Sequence, residues 1–204
     1  MANVRVYVDG FNLFYGALKG TPYKWLNLDA LCRSMLPQDN LLGIRYCTAR
    51  VSARIGDPGK PQRQEMFLRA LRTLPSLTIH FGQFRTRSVR LRLTGQNQSV
   101  WVDRTEEKGS DVNLASYMLW DGFNKMYETA VIITNDSDLE TPVRMVRQEL
   151  NLHVGILNPH PTHSCSLKQW ATFVKRIRQA DVAAAQFPVS LIDAKGLLTK
   201  PQGW

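Results

Sequence analysis

Aspartates follow directly after short apolar segments at two places in this chain. Asp136 and Asp138 come just after the apolar run 130–133, and Asp9 comes after the run 4–8. Both runs are rich in valine or isoleucine, which predicts buried strands. Ligands of open α/β sheets bind just outside the carboxyl ends of the strands. Carboxylates at that edge would suit a hard cation such as Mg²⁺ or Mn²⁺, which prefers oxygen ligands.

Two further polar residues belong to the same candidate group. Asp111 opens a predicted helix, and Asn12 follows Asp9 by three positions. If the N-terminus of that helix leans over the same edge of the sheet, four aspartates meet, and their like charges favour a bound cation. The chemistry expected there is metal-assisted phosphodiester hydrolysis, in which the ion polarises a phosphoryl oxygen and lowers the pKa of a bound water. Asp136 is then the expected direct ligand, and Asp138 is expected to cap the following helix and hold a metal-bound water.

Each acid also has a structural interpretation, which the sequence leaves open. Asp9 suits the N-cap position of the first helix, and Asp138 or Ser137 suits the N-cap of the helix after the second apolar run. Ser110 is the expected cap of the helix that contains Asp111, where an acid in the first turn is favoured by the helix dipole. Capping and metal binding are compatible, so neither interpretation excludes the other.

Strands alternate with helices along the chain, which predicts an α/β fold with a mainly parallel sheet covered on both faces. Five strands are expected, at 4–8, 41–51, 77–84, 127–134 and 152–157. The last helix is expected at 166–182, because the apolar residues of that segment recur at helical spacing. Neither an internal repeat nor a linker is visible, so we expect one domain at 1–182 and a C-terminal tail at 183–204.

The chain is basic, with 26 Lys and Arg against 17 Asp and Glu and a formal net charge of +9. This charge favours a polyanionic partner, with nucleic acid ahead of a membrane or an acidic protein. Arginine is densest at 85–92, where apolar and basic residues alternate. Together with a turn at 95–98 and a returning segment at 99–103, this predicts a β-hairpin insertion at about 85–104. Its arginines either bind phosphate or only solvate an exposed edge hairpin.

The three cysteines, Cys32, Cys47 and Cys165, are too far apart to form a CxxC pair. This pattern predicts neither a disulfide framework nor a zinc knuckle, and it fits a reducing compartment. The N-terminus enters a strand directly, without the pattern of a secretory signal. No apolar run approaches the ~20 residues of a membrane span. The sequence therefore predicts a cytoplasmic protein without a membrane partner.

Three sequence blocks carry a family resemblance. They are Asp9-Gly-Phe-Asn12, Glu107-Lys-Gly-Ser-Asp111-Val and Thr134-Asn-Asp136-Ser-Asp138-Leu. In this order and spacing they resemble the NYN domain, a PIN-like nuclease family that includes the bacterial LabA-like proteins, and the similarity covers about 4–177. The resemblance implies a PIN-like Rossmannoid fold, a three-layer α/β/α sandwich, and metal-dependent RNA cleavage.

The resemblance also implies roles for single residues. Metal binding falls on four acids: Asp9, Asp111, Asp136 and Asp138. Asn12 is implied to shape the site. Lys108 is implied to contact a phosphate or to contact the residues that line the site. Asn135 is a departure, because relatives commonly have glycine there. Its side chain either narrows access or tolerates the left-handed backbone that glycine would adopt. The arginine-rich hairpin has no match in the core of the family.

The function expected from the sequence is an endoribonuclease that uses Mg²⁺ or Mn²⁺ to cut single-stranded or structured RNA. The RNA backbone would be held by basic residues near the site: Arg50, Lys60, Arg63, Arg85, Arg87 and Lys108. Such contacts carry little sequence information. A loop is predicted at 52–61; it contains Lys60 and a further basic residue, Arg54. Two alternatives stay open: a non-catalytic PIN-like module that binds RNA or a protein, and a structure-specific DNA nuclease, since RNA is preferred on the resemblance alone. A homodimer is left open as well.

Overall fold

The fold grows outward from the valine-rich strand near the N-terminus. In the computed structural model, which describes residues 1–53 and 56–204, this strand is β1 (Asn3–Asp9). Val4, Val6 and Val8 contribute to the core on one face of the sheet and Tyr7 to the core on the other, as the two-residue period of a strand requires. β1 is thus buried on both faces, as is usual for a central parallel strand. Arg54, one of the expected loop cations, lies outside the described residues.

Six more strands join β1 in the main sheet of the described ranges. In chain order they are β2 (Asn40–Ala49), β3 (Leu77–Arg92), β4 (Ser99–Lys108), β5 (Thr129–Ile133), β6 (His153–Asn158) and β7 (Phe173–Arg176). Their spatial order is β4-β3-β2-β1-β5-β6-β7, and every neighbouring pair is parallel except β3 and β4. The mainly parallel α/β fold is confirmed, although the sheet has seven strands instead of about five.

Helices cover both faces of this sheet. They are α1 (Gly10–Leu13), α2 (Leu28–Met35), α3 (Lys60–Arg72), α4 (Ser110–Phe123), α5 (Glu140–Gln148), α6 (Cys165–Lys168) and α7 (Gln179–Ala184). Buried hydrophobic residues of α2, α3 and α7 belong to the core around Val6, and buried hydrophobic residues of α4, α5 and α6 belong to the core around Tyr7. This is the three-layer arrangement predicted. None of the helices in the described part of the chain has the length and apolar character that crossing a bilayer requires.

The arginine-rich region is a continuation of the main sheet. β3 pairs with β2 in the core and then continues without a break to Arg92. The predicted third strand, by contrast, ends at residue 84. β4 returns along it, with pairs from Gln83–Lys108 to Arg92–Ser99. At about 3.4 Å per residue, this paired segment is roughly 30 Å long. We call residues 83–108 the arm; most of its side chains are exposed.

The prediction of one helix over 166–182 is wrong. This segment contains α6, then β7, then the first turn of α7. β7 fills the open edge of β6, with Phe173 opposite Gly155. The ring of Phe173 occupies the space that a side chain at Gly155 would need. The apolar residues of the segment fit helical and strand spacing alike, and pairing with β6 decides between them.

The C-terminal residues pack on the side of the sheet that carries α3. Residues 190–199 form an antiparallel hairpin of β8 (Ser190–Asp193) and β9 (Gly196–Thr199). The carboxylate of Asp193 accepts two hydrogen bonds from Arg69 of α3, both at 2.7 Å, and Leu198 of β9 is buried in the core. The division of the chain into a domain at 1–182 and a tail at 183–204 stays a prediction.

Candidate active site

Asp9 lies at the end of β1 and is 4% exposed. Its Oδ1 accepts hydrogen bonds from the amides of Phe11 at 3.1 Å and Asn12 at 2.9 Å, and its Oδ2 accepts one from the hydroxyl of Thr134 at 3.2 Å. The structural interpretation of Asp9 as the N-cap of α1 is therefore confirmed. The same bonds hold the carboxylate beside the end of β5, where Thr134 lies.

Two further acids, Asp136 and Asp138, follow β5, the neighbour of β1 in the sheet. Asp136 is the N-cap of a single 3₁₀ turn, Ser137–Leu139, and its Oδ1 accepts a hydrogen bond from the amide of Asp138 at 3.0 Å. The expectation that Asp138 or Ser137 caps the next helix is wrong, because both residues lie in this turn and the N-cap of α5 is Leu139, which makes no side-chain cap bond. Asp136 is half-buried and Asp138 is exposed. The two acids thus differ in role, but the capping role belongs to Asp136.

Asp111 lies in the first turn of α4, as expected. The cap of this helix is Gly109, whose φ of 97° is left-handed, and not Ser110. Ser110 instead donates its amide and hydroxyl to the carboxylate of Glu107, at 3.1 and 2.7 Å. A side chain at Gly82 of β3 would lie 2.8 Å from the amide nitrogen of Ser110, so its absence lets β3 pass against the start of α4. The base of the arm therefore positions Asp111.

The pKa values of Asp111 and Asp9 show that the acids at this edge lie near one another. Burial raises the pKa of Asp111 to about 6, and the charges of Asp9, Asp136, Glu107 and Asp138 add to the rise. Burial also raises the pKa of Asp9, against the hydrogen bonds that it accepts. Yet no three His, Cys, Asp or Glu side chains among the described residues stand close enough together to hold a metal ion. The acids share one edge of the sheet without forming a closed set of ligands.

The donor chemistry of this edge suits a hard divalent cation. The side chains are carboxylates, and a cation would offset the neighbouring negative charges that add to the effect of burial in raising the pKa of Asp111. Mg²⁺ is commonly held by only one or two carboxylates and keeps several waters. A closed set of three protein ligands is therefore not required for it.

Asn12 joins α1 to the end of β5, and Asn135 joins that end to the segment after β6. The Oδ1 of Asn12 accepts a hydrogen bond from the amide of Asn135 at 2.9 Å, and the Oδ1 of Asn135 accepts one from the amide of Ser164 at 2.7 Å. Asn135 is not among the residues with positive φ. The left-handed alternative for it is therefore wrong, and its side chain makes a bond that glycine could not. Asn12 shapes the turn before Asp136, and a direct catalytic role for it stays a prediction.

A buried ion cluster, which the sequence analysis missed, anchors α4 to the sheet. Asp121 of α4 is fully buried. Its carboxylate accepts two hydrogen bonds from Arg45 and one from the hydroxyl of Tyr7, all at 2.7 Å, and Arg5 lies 3.4 Å away. The contacts join β1 and β2 to α4, the helix whose first turn contains Asp111. The signal that would find this cluster is the set of polar residues that alternate with valine and isoleucine in these two strands.

Three of the cations expected to hold RNA lie on the arm. Arg87 and Lys108 both pair with Glu106, at 3.7 and 3.0 Å. Arg85 is exposed on the same stretch. Lys108 ends the arm three residues before Asp111, and Arg85 and Arg87 lie on the opposite strand near the base of the arm.

The other three expected cations lie on the side of the sheet that carries α3. Arg50 pairs with Glu65 at 2.6 Å, and Arg63 pairs with Asp57 at 2.5 Å. Lys60 and Arg63 belong to the first two turns of α3 and line a cavity. Arg50 also lies over the ring of Phe81 on β3, 4.9 Å from its centroid, so it links this group to the strand that carries Arg85.

This cavity has a volume of about 360 Å³ and lies beside Asp9. Its wall is mainly apolar and includes Gly10, directly after Asp9, together with Tyr46 of β2, Phe67 of α3 and Trp204. We call it the aromatic cavity. No local motif in the sequence marks this cavity, because its lining comes from segments that are far apart in the chain.

Comparison with known proteins gives three matches of different weight. Residues 3–177 match the NYN domain family. The 6-hydroxy-3-succinoylpyridine 3-monooxygenase HspA of Pseudomonas putida is 30% identical, with 98% of this chain and 74% of that protein aligned. The crystal structure of a protein of unknown function from Vibrio parahaemolyticus matches with a TM-score of 0.51 and 16% identity, covering 87% of this chain and 93% of that one. This last match shows likeness of fold alone.

The family match spans all three sequence blocks and extends from β1 to the end of β7. NYN domains have a PIN-like fold and are generally nuclease-like, and PIN-like nuclease domains typically use divalent metals. The sequence match, the mainly parallel sheet and the acids at one edge of it agree with one another. The chain therefore belongs to the NYN domain family.

Proposed function

We propose that this protein is an endoribonuclease that uses Mg²⁺ or Mn²⁺ to hydrolyse RNA phosphodiester bonds at Asp9, Asp111, Asp136 and Asp138. The observation that carries the proposal is that three separate segments deliver carboxylates to one edge of the sheet. These are the end of β1, the turn after β5 and the first turn of α4. Membership of a nuclease-like family supports the same activity.

The hydrogen bonds and burial of the four acids suggest a different role for each in metal binding. Asp136 uses Oδ1 for its cap, and we assign its Oδ2 to the metal. Asp9 is fixed by three hydrogen bonds and supplies a buried negative charge at the edge. Asp111 and Asp138 face the same edge from α4 and from the turn, and Asn12 holds that turn in place. A divalent ion bound here would polarise the phosphoryl oxygen and lower the pKa of the attacking water.

We assign the RNA backbone to the base of the arm. Arg85, Arg87 and Lys108 lie there, beside the start of α4. Glu106 pairs with two of these cations and holds them on one side of the strand pair. Phosphate contacts of this kind fix the position of an RNA strand but carry no base sequence. The proposed enzyme therefore selects its substrate by shape more than by sequence.

The substitution Asp136→Asn tests the proposal, because asparagine is as good an N-cap as aspartate but carries no charge. We expect RNA cleavage in Mn²⁺ to fall roughly 100-fold or more, since a metal contributes several kcal/mol of charge stabilisation and each ~1.4 kcal/mol is tenfold in rate. The melting temperature should stay close to that of the wild type. Asp103→Asn, an equal change on the exposed arm, is the matched control.

Cleavage at the wild-type rate by Asp136→Asn would refute the nuclease assignment. Calorimetry with Mn²⁺ separates it from a binding-only module, since such a module should show no metal uptake that depends on Asp136. Assay of one oligonucleotide sequence as RNA and as DNA separates the RNA nuclease from a DNA nuclease.

A second candidate function is chemistry on a small aromatic acid. HspA is named for oxygenation of 6-hydroxy-3-succinoylpyridine, and its alignment covers 98% of this chain. The observation that favours this candidate is the aromatic cavity, whose volume of about 360 Å³ suits a compound with one ring.

The second candidate is tested with that pyridine, O₂ and NADH, because a monooxygenase places one oxygen atom in its substrate and needs two electrons to reduce the other to water. Loss of the pyridine is followed by chromatography. Turnover that survives Asp136→Asn would replace the nuclease assignment. An unchanged pyridine concentration would exclude the second candidate.

A further inference from the structure

The aromatic cavity is built as a binding site in its own right. Its volume of about 360 Å³ lies within the range of small-ligand pockets, about 300–1,000 Å³. It opens on the side of the sheet that carries α3, whereas Asp111 approaches the edge from the opposite side, on α4. Gly10 is the link between the two, because it follows Asp9 and also lines the cavity.

One part of the cavity is a cluster of aromatic rings. The ring of Phe67 lies 5.6 Å from that of Trp204 and 6.4 Å from those of Tyr46 and Trp25, measured between centroids. Phe67 and Tyr46 are each 7% exposed, and Trp204 is half-buried. Such rings favour stacked or edge-on contact with a further planar ring. An aliphatic ligand would not use this geometry.

The other part of the cavity is cationic. Lys60, Arg63, Gln64 and Phe67 follow the i, i+3, i+4, i+7 spacing, so one face of α3 lines the cavity from its charged first turn to its aromatic third turn. Asp57, which pairs with Arg63, also lines the cavity. Lys24 is a further cation of the wall, bonded to the carbonyl of Gly203 next to Trp204. The N-cap of α3 makes no side-chain cap bond. This end of the cavity therefore favours an anion.

The spacing of the two parts sets the length of a ligand. Lys60 and Phe67 are seven residues apart on α3, which is about 10 Å along the helix axis. That distance fits one aromatic ring joined to an acid group by a short chain or by a ribose. The C-terminal residues close the wall: the carbonyl of Gly203 accepts a hydrogen bond from Lys24 at 3.3 Å, and Trp204 packs on Phe67.

We infer that the aromatic cavity binds a planar aromatic ring that carries an anionic group, with the ring against Phe67 and Trp204 and the anion toward Lys60 and Arg63. Two sources share this chemistry: a nucleotide unit of an RNA strand and a free aromatic acid. The inference goes beyond the acidic edge and holds whichever reaction that edge catalyses.

Titration calorimetry of the full chain with a small panel of probes tests the inference. Uridine and adenosine 5′-monophosphates represent the nucleotide source, and 3-phenylpropanoate and 4-phenylbutanoate represent the free acid. We expect at least one probe to bind with a Kd below about 1 mM. Its neutral counterpart, the nucleoside or the corresponding amide, should bind about tenfold more weakly, because the charged contact is lost. Binding of only one class identifies the source, and binding of none overturns the inference.

Two substitutions locate the bound probe. Trp204→Ala removes a ring from the wall and should weaken binding about tenfold. Arg63→Gln should reduce the preference for the charged probe over its neutral counterpart. Trp120→Ala, which changes a tryptophan that is 63% exposed on α4, is the matched control and should bind as the wild type does. Unchanged binding in both cavity variants would overturn the inference.

The acidic edge is tested separately, so the two failures can be told apart. Asp136→Asn should keep full affinity for the probe, because the residue does not line the cavity. Loss of cleavage in that variant with probe binding intact supports both assignments. If Asp136→Asn still cleaves RNA while the cavity variants lose the probe, the nuclease assignment is refuted and the cavity assignment is kept.

Discussion

Replacing Asp121 by asparagine should destabilise the fold far more than the same change at an exposed aspartate. The carboxylate of Asp121 is fully buried and accepts three hydrogen bonds at 2.7 Å, two from Arg45 and one from Tyr7. Asparagine has nearly the same shape, but it carries no charge and offers one acceptor oxygen in place of two. Arg45 and Arg5 would then lack their counter-charge inside the protein.

The size of the effect follows from these contacts. Removing one partner of a buried ion pair costs about 3–5 kcal/mol, and hydrogen bonds to charged groups contribute about 1.5–3 kcal/mol. The side chains of Arg45 and Arg5 retain 16% and 17% exposure, so water can take over part of the lost interaction. We therefore expect a loss of about 3 kcal/mol. For a chain of this size that corresponds to a fall in melting temperature of roughly 6–12 °C.

The effect should also depend on pH in a defined direction. Burial alone would raise the pKa of Asp121, but the hydrogen bonds from Arg45 and Tyr7 and the charges of Arg45 and Arg5 outweigh it and lower that pKa. A carboxyl whose pKa is lower in the folded state stabilises the protein above its unfolded value and loses this contribution as the pH falls. The difference between wild type and Asp121→Asn should be full at pH 7 and shrink below about pH 4.

Thermal unfolding followed by circular dichroism at pH 7 and at pH 3 measures both quantities. Asp103→Asn serves as the control, since Asp103 is an exposed carboxylate on the arm, and surface changes usually stay within about 0.5 kcal/mol. Equal melting temperatures for the two variants at pH 7 would refute the idea that the buried cluster anchors α4.

Two further outcomes are expected. Gly82→Ala should lower the melting temperature and shift the amide resonances of Ser110, because a β-carbon there would lie 2.6 Å from the carbonyl oxygen of Lys108 and 2.8 Å from the amide nitrogen of Ser110; unchanged spectra would contradict the close approach. The hydrogen bonds from Arg69 lower the pKa of Asp193 to about 2, so in Arg69→Gln a carboxyl titration followed by NMR should move toward the ordinary value near 3.9, and an unmoved titration would place the C-terminal hairpin elsewhere.

The parts of the fold that the sequence predicts are those specified by neighbouring residues. Valine- and isoleucine-rich runs that end in an acid specify both a strand and the position of a carboxylate at its end, which is how Asp9 and Asp136 could be placed before the structure was known. The wrong assignments concern competition between near neighbours. Asp136 and Asp138 are equally good caps by residue type. Asp136 is the cap because the 3₁₀ turn begins at Ser137, directly after it.

What the sequence does not predict depends on contacts between distant segments. Phe173 lies in a strand because β6 has an open edge and Gly155 leaves room for its ring. The aromatic cavity joins residues from α1, β2, α3 and the C-terminus, which no periodic pattern connects. The Asp121 cluster likewise pairs a helix with two strands that lie far away in the chain.

The pairing of β3 with β4 also determines how the chain can change in length. The pairs run in strict register from the base of the arm to Arg92 and Ser99. Insertion or deletion of equal numbers of residues on both strands near the turn would lengthen or shorten the arm and leave its base unchanged. A single unmatched residue would slip the register and exchange the two faces of the strand. Only Gly109 separates β4 from α4, so such a slip would displace Asp111. The length of the arm can therefore change by equal numbers of residues on both strands, but not by a single residue on one strand.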